Sequence, residues 1–222
     1  MGFSKEWNDT YASNAHLSIW PWSDVVSLVH RHCKRTLAAG GAVLEVGCGA
    51  GANIPLFLSL GLDYYGLEGS PVIVDQLHTR FPDLRSAIVC ADFTEEIPLE
   101  RSFDIIVDRA ALTHNDSSAI ARALKEIREK MTPRGTFIGV DWFSSNHSDA
   151  ALGEPVDAHT RTMLPRGQFT GVGKVHFSDE HHLRQLFRDF ELIYLEEKIH
   201  RCFEPGTGHQ FASWNVVARC PE

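Results

Sequence analysis

A chain of 222 residues, 43% of them hydrophobic, is long enough for one compact domain with ample core. The net charge of −8 and the lack of any lysine or arginine run exclude extended contact with nucleic acid or an anionic membrane. No apolar stretch could span a bilayer and no signal-like core follows Met1, while five scattered cysteines form no C-x-x-C; a reduced, cytoplasmic setting is expected.

Taken in order, the chain first shows Trp7, Tyr11, Trp20, Pro21 and Trp22, an unusual aromatic density before any regular element. Residues 23–38 then read as one helix, capped by Ser23 or Asp24 and stopped by Gly40-Gly41. Val43-Leu44-Glu45-Val46 reads as a buried strand running into the turn Gly47-Cys48-Gly49-Ala50-Gly51, with a helix from about Ala52. Further strands are expected at 63–68, 88–93 and 103–109, with Gly69-Ser70-Pro71 opening the helix after the first of these. Asp116-Ser117 caps a helix whose Ile120, Leu124 and Ile127 share one face. Met131-Thr132-Pro133-Arg134-Gly135 leads into a fifth strand.

Residues 143–177 then break the rhythm with a long, loop-rich insertion, in which Met163, Leu164, Phe169 and Val172 suit a partly buried cover. Ser178-Asp179 begin a helix through Leu183, Leu186 and Phe187, and strands at 190–199 and 211–219 close the chain as a hairpin. The alternation predicts an α/β fold with a mostly parallel sheet and helices on both faces.

The turn carries the most chemistry. Glycines at 47, 49 and 51 allow sharp turning and close approach to a ligand, and the following helix points free N–H groups at it. That arrangement serves a nucleotide-like cofactor, and Gly47, Gly49 and Ala52 also satisfy the dinucleotide fingerprint G-x-G-x-x-G/A. Glu68, ending the second strand, can accept both ribose hydroxyls in either case. Cys48 reads as a small filler and not as a nucleophile.

The spacing Glu45-x-Gly47-x-Gly49-x-Gly51, Asp63 to Glu68, Asp92-Phe93, Asp108-Arg109 and the Pro133-Arg134-Gly135 turn come in the order shown by one family. Residues 40–142 resemble the class I S-adenosylmethionine-dependent methyltransferases, with Arg134 where a glycine is common. The resemblance implies a Rossmann-like seven-stranded sheet ending in an antiparallel hairpin. It also implies S-adenosyl-L-methionine as cofactor and S-adenosyl-L-homocysteine as product. Asp92 would receive the adenine amino group with Phe93 over the ring, and Asp108 would stand at the reaction centre. Glu45, Gly47, Cys48, Gly49, Asn53, Glu68, Gly69, Ser70 and Arg109 would complete the cofactor site, with Asp108 as a holder of its methionine end. Residues 1–40 would act as a lid, placing Trp7, Tyr11 and Trp20 nearest the cofactor, and 143–177 would face the acceptor within a single 1–222 domain.

For catalysis, His114 is the first candidate base because it follows the fourth strand by one loop; Asp141, His147, His159 and His176 are second choices. The Trp20-Pro21-Trp22 segment and Gly171 to Phe177 look like those of small stand-alone methyltransferases of sugar and surface-polysaccharide pathways. A small polar acceptor methylated at oxygen is therefore expected, by a monomer or homodimer. The motif Asn-Pro-Pro-Tyr/Phe of nucleic-acid base methylation is absent. Twelve histidines invite a zinc reading, but no H-x-x-x-H or Cys/His cluster supports it, and no metal is expected. The competing readings are an NAD(P)-dependent oxidoreductase and a catalytically silent cofactor-binding partner subunit.

Overall fold

The computed structural model describes residues 18–206 and 208–221. Ten strands and six α-helices are assigned among them: α1 Ser23–His32, α2 Lys34–Ala39, β1 Ala42–Val46, α3 Ile54–Ser59, β2 Asp63–Glu68, α4 Pro71–Arg80, β3 Ile88–Cys90, β4 Phe103–Arg109, α5 Ser117–Lys130, β5 Met131–Phe143, β6 Glu154–Pro155, β7 Thr160–Thr162, β8 Val175–His176, α6 Glu180–Leu186, β9 Glu191–Arg201 and β10 Gln210–Arg219. The main sheet has seven strands in the order β3-β2-β1-β4-β5-β10-β9. β1 to β5 run parallel, and β10 pairs antiparallel with both β5 and β9.

Every residue of β1 is buried, as a central parallel strand covered on both faces requires. One face packs Val25 and Val29 of α1, Ile54 and Phe57 of α3, and Ile73 and Leu77 of α4. The other packs Ile120, Leu124 and Ile127 of α5 with Leu183 and Phe187 beside α6. The i, i+4, i+7 spacing read for α5 is that buried face, and Asp116 caps it by accepting from the Ala119 amide at 3.0 Å. Between β1 and β4 the strand order reverses. In such sheets, the crevice beyond the strands' carboxyl ends at that reversal is where ligands bind.

Several boundaries differ from expectation. The helix expected over 23–38 is two helices, broken at Cys33 (φ −110°, ψ 23°). Neither Ser23 nor Asp24 caps it; Trp22 holds the N-cap position, and the Asp24 carboxylate is taken by Lys198 and Asn215. α3 begins at Ile54, two residues later than expected, because the turn takes up the residues before it. β3 stops at Cys90, and Asp92 begins a turn in which its carboxylate accepts from Thr94.

The insertion has its own order. β6, β7 and β8 form a small antiparallel sheet, and Leu164, Phe169, Val172, Val175 and Phe177 pack with Phe143 into a third apolar cluster. Met163, expected in that cover, is 70% exposed instead, with a left-handed φ of 52° that turns it out of the cluster. Among the described residues no helix is long and apolar enough to cross a membrane.

Candidate functional site

A cavity of about 420 Å³ opens beyond the carboxyl ends of β1 and β4, at the reversal of strand order. Its floor is the glycine turn. Gly47, Gly49 and Gly51 all have positive φ (64°, 50° and 76°), where other residues are strained. Gly47 and Gly51 also answer to packing. A Cβ on Gly47 would lie 2.1 Å from the Ala111 Cβ, and one on Gly51 would lie 2.7 Å from Leu77.

Two buried carboxylates hold this floor. Glu68 accepts from the Gly49 amide at 2.9 Å through one oxygen and from the Ser70 amide at 3.0 Å through the other. Burial raises its pKa, partly offset by these backbone bonds. Glu45 accepts from Asn53 Nδ2 at 2.7 Å and from the Tyr64 hydroxyl at 2.8 Å. Burial pushes the Glu45 carboxyl up to about 7, against those two bonds. Asn53 in turn accepts from the Trp22 amide at 3.1 Å, so the turn is tied to the segment before α1. Glu45, Gly47, Cys48, Gly49, Asn53, Glu68, Gly69, Asp92, Phe93, Arg109 and His114 all line the cavity. Burial drives the Cys48 thiol well above its ordinary range, which leaves it unreactive.

Five expectations are corrected by position. Asp108 is fully buried beneath the cavity and does not line it. It accepts from the Ala111 and Leu112 amides and from Trp142 Nε1 at 2.6 Å, so it anchors the loop after β4. Burial pushes its carboxyl up to about 7. Asp141 also lies outside the lining, consumed by Arg109 at 3.1 Å, Lys198 at 2.7 Å and Ser213. Ser70 is fully buried behind Glu68 and does not line the cavity. Trp20 is 76% exposed and does not line the cavity, while Trp22, two residues on, lines the mouth. The fifth concerns the second-choice histidines, none of which lines the cavity: His147 and His176 are buried elsewhere and His159 stacks on His182 at 3.7 Å. Trp7 and Tyr11 lie outside the described residues.

Arg109 spans the mouth. Its guanidinium lies 3.6 Å from the centre of the Trp22 ring, held from behind by Asp141, and its buried Nε has no hydrogen-bond partner. Lys198 continues this chain to Asp24 of α1.

His114 stands where the floor meets a second, apolar wall. Its Nδ1 contacts the Lys174 carbonyl at 3.2 Å, which makes Nδ1 the donor and Nε2 the nitrogen able to take a proton. Its ring meets Phe143 edge-on at 5.7 Å. Phe143, Phe169, Val172 and Phe211, with Gln168, complete that wall, and Ser18 joins Trp22 at the mouth. Apart from Phe169 and Val172, read only as cover, none of these was singled out as lining, because they come from the end of β5, the insertion and β10 with no shared period.

Four histidines form two groups. His176 is fully buried, pairing Nε2 with His182 Nε2 at 3.1 Å and Nδ1 with the Thr160 hydroxyl at 2.9 Å. These are hydrogen-bonded histidines, and burial depresses both, to about 3 for His176 and about 4 for His182. His147, Asp149 and His209 instead bring ligand atoms within 4.8 Å of one another, the one such group among the described residues. Spacing along the chain could not reveal it, since the fold supplies His209 from the β9–β10 loop.

Residues 44–139 match the sequence profile of a family described as a methyltransferase domain. The seven-stranded sheet, with its cavity at the strand-order reversal, accords with that match and is the fold of solved structures described as S-adenosylmethionine-dependent methyltransferases. Among solved structures the chain is similar to an S-adenosylmethionine-dependent methyltransferase from Methanosarcina mazei, at 20% identity and a TM-score of 0.64 over 82% of this chain and 93% of that one. It is also similar to 1,6-didemethyltoxoflavin-N1-methyltransferase from Burkholderia thailandensis, at 20% identity and 0.64 over 98% and 88%. A glycopeptide N-methyltransferase aligns at 20% identity and 0.57 over 96% and 97%. No curated relative matches the sequence significantly.

Proposed function

We propose that the cavity binds S-adenosylmethionine on the glycine-turn side and a small acceptor with a flat, apolar body on the side of the phenylalanine wall. The carrying observation is the division of the lining: Glu45, Glu68 and Asp92 on one side, Phe143, Phe169, Val172 and Phe211 on the other, with His114 at the seam. Three carboxylates suit a cofactor that bears a sulfonium and an ammonium, and the unpartnered Arg109 Nε suits its carboxylate. The cofactor supplies an already activated methyl group. This chain's residues orient, exclude water and move one proton. Glu68 sits where ribose hydroxyls can be accepted, and Asp92 with Phe93 forms the base-binding corner. Trp22 and Arg109 close the mouth, the part expected of Trp20.

On the acceptor side, positioning supplies most of the rate, because in-line displacement needs little covalent help. An acceptor hydroxyl must also lose its proton, and His114 Nε2 is the base in reach of the cavity. Oxygen is therefore our first reading. The apolar wall favours an aromatic or heteroaromatic acceptor over the sugar or polysaccharide precursor expected from sequence. Nitrogen is the second reading, favoured because two of the similar structures are N-methyltransferases. Calorimetry with S-adenosylmethionine, followed by incubation of the enzyme with labelled donor and fractionated cell extract, tests both halves. Mass analysis should find the label on a small aromatic compound. Label found only on macromolecules, or on a polyhydroxylated compound, would overturn the acceptor assignment.

A further inference from the structure

We propose that His147, Asp149 and His209 bind one divalent transition-metal ion of the zinc class. His147 and Asp149 are 97% and 98% buried by their exposures of 3% and 2%. Yet neither His147 Nε2 nor Asp149 Oδ2 makes a hydrogen bond of ordinary geometry, although the Gln168 side chain interacts with the imidazole. Buried polar atoms without partners are rare in a folded chain, and two in one place point to a group that fills the space between them. His209 Nε2 lies 3.6 Å from the other Asp149 oxygen, at the solvent side of the group. Gly167, at a φ of 92°, backs the carboxylate so closely that a Cβ there would fall 2.4 Å from Asp149 Oδ2.

Two imidazoles and one carboxylate suit zinc, cobalt or nickel and not calcium or magnesium, which prefer oxygen ligands. Tetrahedral zinc separates such ligand atoms by about 3.3 Å, so atoms already within 4.8 Å need a modest closure, which the half-exposed His209 can make. Water would take the open position. One rearrangement is required. His147 Nδ1 accepts from the Asp149 amide at 3.0 Å, so the neutral ring carries its proton on Nε2. To ligate through Nε2, the ring moves that proton to Nδ1 and gives up the amide bond; no proton is gained or lost. The ion would then tie the loop after β5 to the loop before β10, directly behind the wall, since the His147 ring touches those of Phe169 and Phe211 at 5.1 and 5.2 Å.

The test uses the untagged full chain, stripped with chelator and titrated with Zn²⁺ alone. Binding should saturate at one ion per chain by calorimetry and elemental analysis. At a hundredfold excess over Kd, the thermal midpoint should rise by about 5–10 °C. His209→Gln, at a partly exposed position that tolerates change, and Asp149→Asn should each weaken binding more than about tenfold. His181→Gln, at an exposed position of α6, should change nothing. Co²⁺ in place of Zn²⁺ should show visible absorption in the wild type that His209→Gln removes. Absence of a saturable single site, or equal Zn²⁺ affinity in wild type and His209→Gln, overturns the proposal and leaves the buried pair to ordered water.

Discussion

On the turn side of the cavity, Glu45, Gly49 and Glu68 come from two neighbouring strands and the loop between them, and each carboxylate oxygen has a fixed backbone or side-chain partner. On the insertion side, Phe143, Phe169 and Phe211 come from three distant segments and hold one another by ring contact, at 4.4 Å between Phe143 and Phe169 and 6.4 Å between Phe143 and Phe211. The first kind of site specifies atoms through directional bonds. The second specifies a shape through dispersion and area. A shared cofactor needs the first, and an acceptor that differs from enzyme to enzyme is accommodated by the second.

His114 sits on the boundary, so its replacement is the sharpest way to break this division. His114→Ala should lower turnover by about 10²–10⁴-fold while leaving donor affinity unchanged, and His114→Gln should fail to restore it, since an amide cannot take a proton. Single-turnover rates with the labelled acceptor measure the first, and calorimetry with S-adenosylmethionine the second. Lost donor binding in His114→Ala would move the residue to the turn side and dissolve the proposed boundary.

The same division explains what the sequence made legible. β2 and β4 have the expected bounds, and the turn with its carboxylates was readable, because those residues are close along the chain and follow a period or motif. The burial of Asp108 was not legible, for a physical reason. A carboxylate ending a strand at this edge looks catalytic in one dimension, but burial and Trp142 Nε1 turn it inward, and Trp142 is on the next strand. Trp22 was hidden by a similar limit. Trp22 is tied to the mouth by its amide on Asn53 and its ring on Arg109, contacts to residues distant along the chain. The apolar wall had no periodic signal at all.

Glu68 tests the turn side alone. Glu68→Ala should weaken S-adenosylmethionine binding by about 1–3 kcal/mol, the range for leaving polar partners unpaired. Because its carboxylate also holds the Gly49 and Ser70 amides, the variant should melt earlier, whereas Glu68→Gln keeps an acceptor and should lose less of both. Calorimetry and thermal melts separate the two effects. Unchanged donor affinity in Glu68→Ala would sink the ribose assignment while leaving the turn-holding role intact.

Glu45 tests how far that side is tuned by burial. Its folded pKa of about 7 lies above the ordinary 4.5, so the fold prefers the protonated carboxyl. The corresponding stability is fully present below pH 4.5 and is lost as pH rises through about 7. Between pH 5 and pH 7 the loss should reach about 1–2 kcal/mol in the absence of donor. His147 and His182, both held at about 4 by burial, titrate with the opposite sign over part of this window. The difference between Glu45→Gln and wild type cancels them. Urea midpoints at both pH values should show the variant gaining on wild type as pH rises; parallel curves would mean that Glu45 stays ionised in the fold.

The smallest effect concerns a residue on neither side. Arg134, in the turn early in β5, has a φ of 63°, the left-handed region that costs a residue with a Cβ about 1–2 kcal/mol. Glycine, common at this place in the resembling family, removes that strain but adds freedom to the unfolded chain worth about 0.5–1 kcal/mol. Arg134→Gly should therefore stabilise the protein by about 0.5 kcal/mol, a rise in melting temperature of about 1–2 °C. Arg134→Ala keeps a Cβ at the same φ and should bring no gain, which separates backbone strain from any effect of losing the guanidinium. The Gly135 carbonyl accepts from the Cys220 amide at 3.0 Å, so the turn is pinned to the end of β10, remote from the cavity. Donor affinity and turnover should stay at wild-type values in both variants. Equal destabilisation of the two would show that the arginine side chain outweighs the strain, and a changed donor affinity would mean that the glycine turn and the β5 turn are mechanically coupled through the sheet.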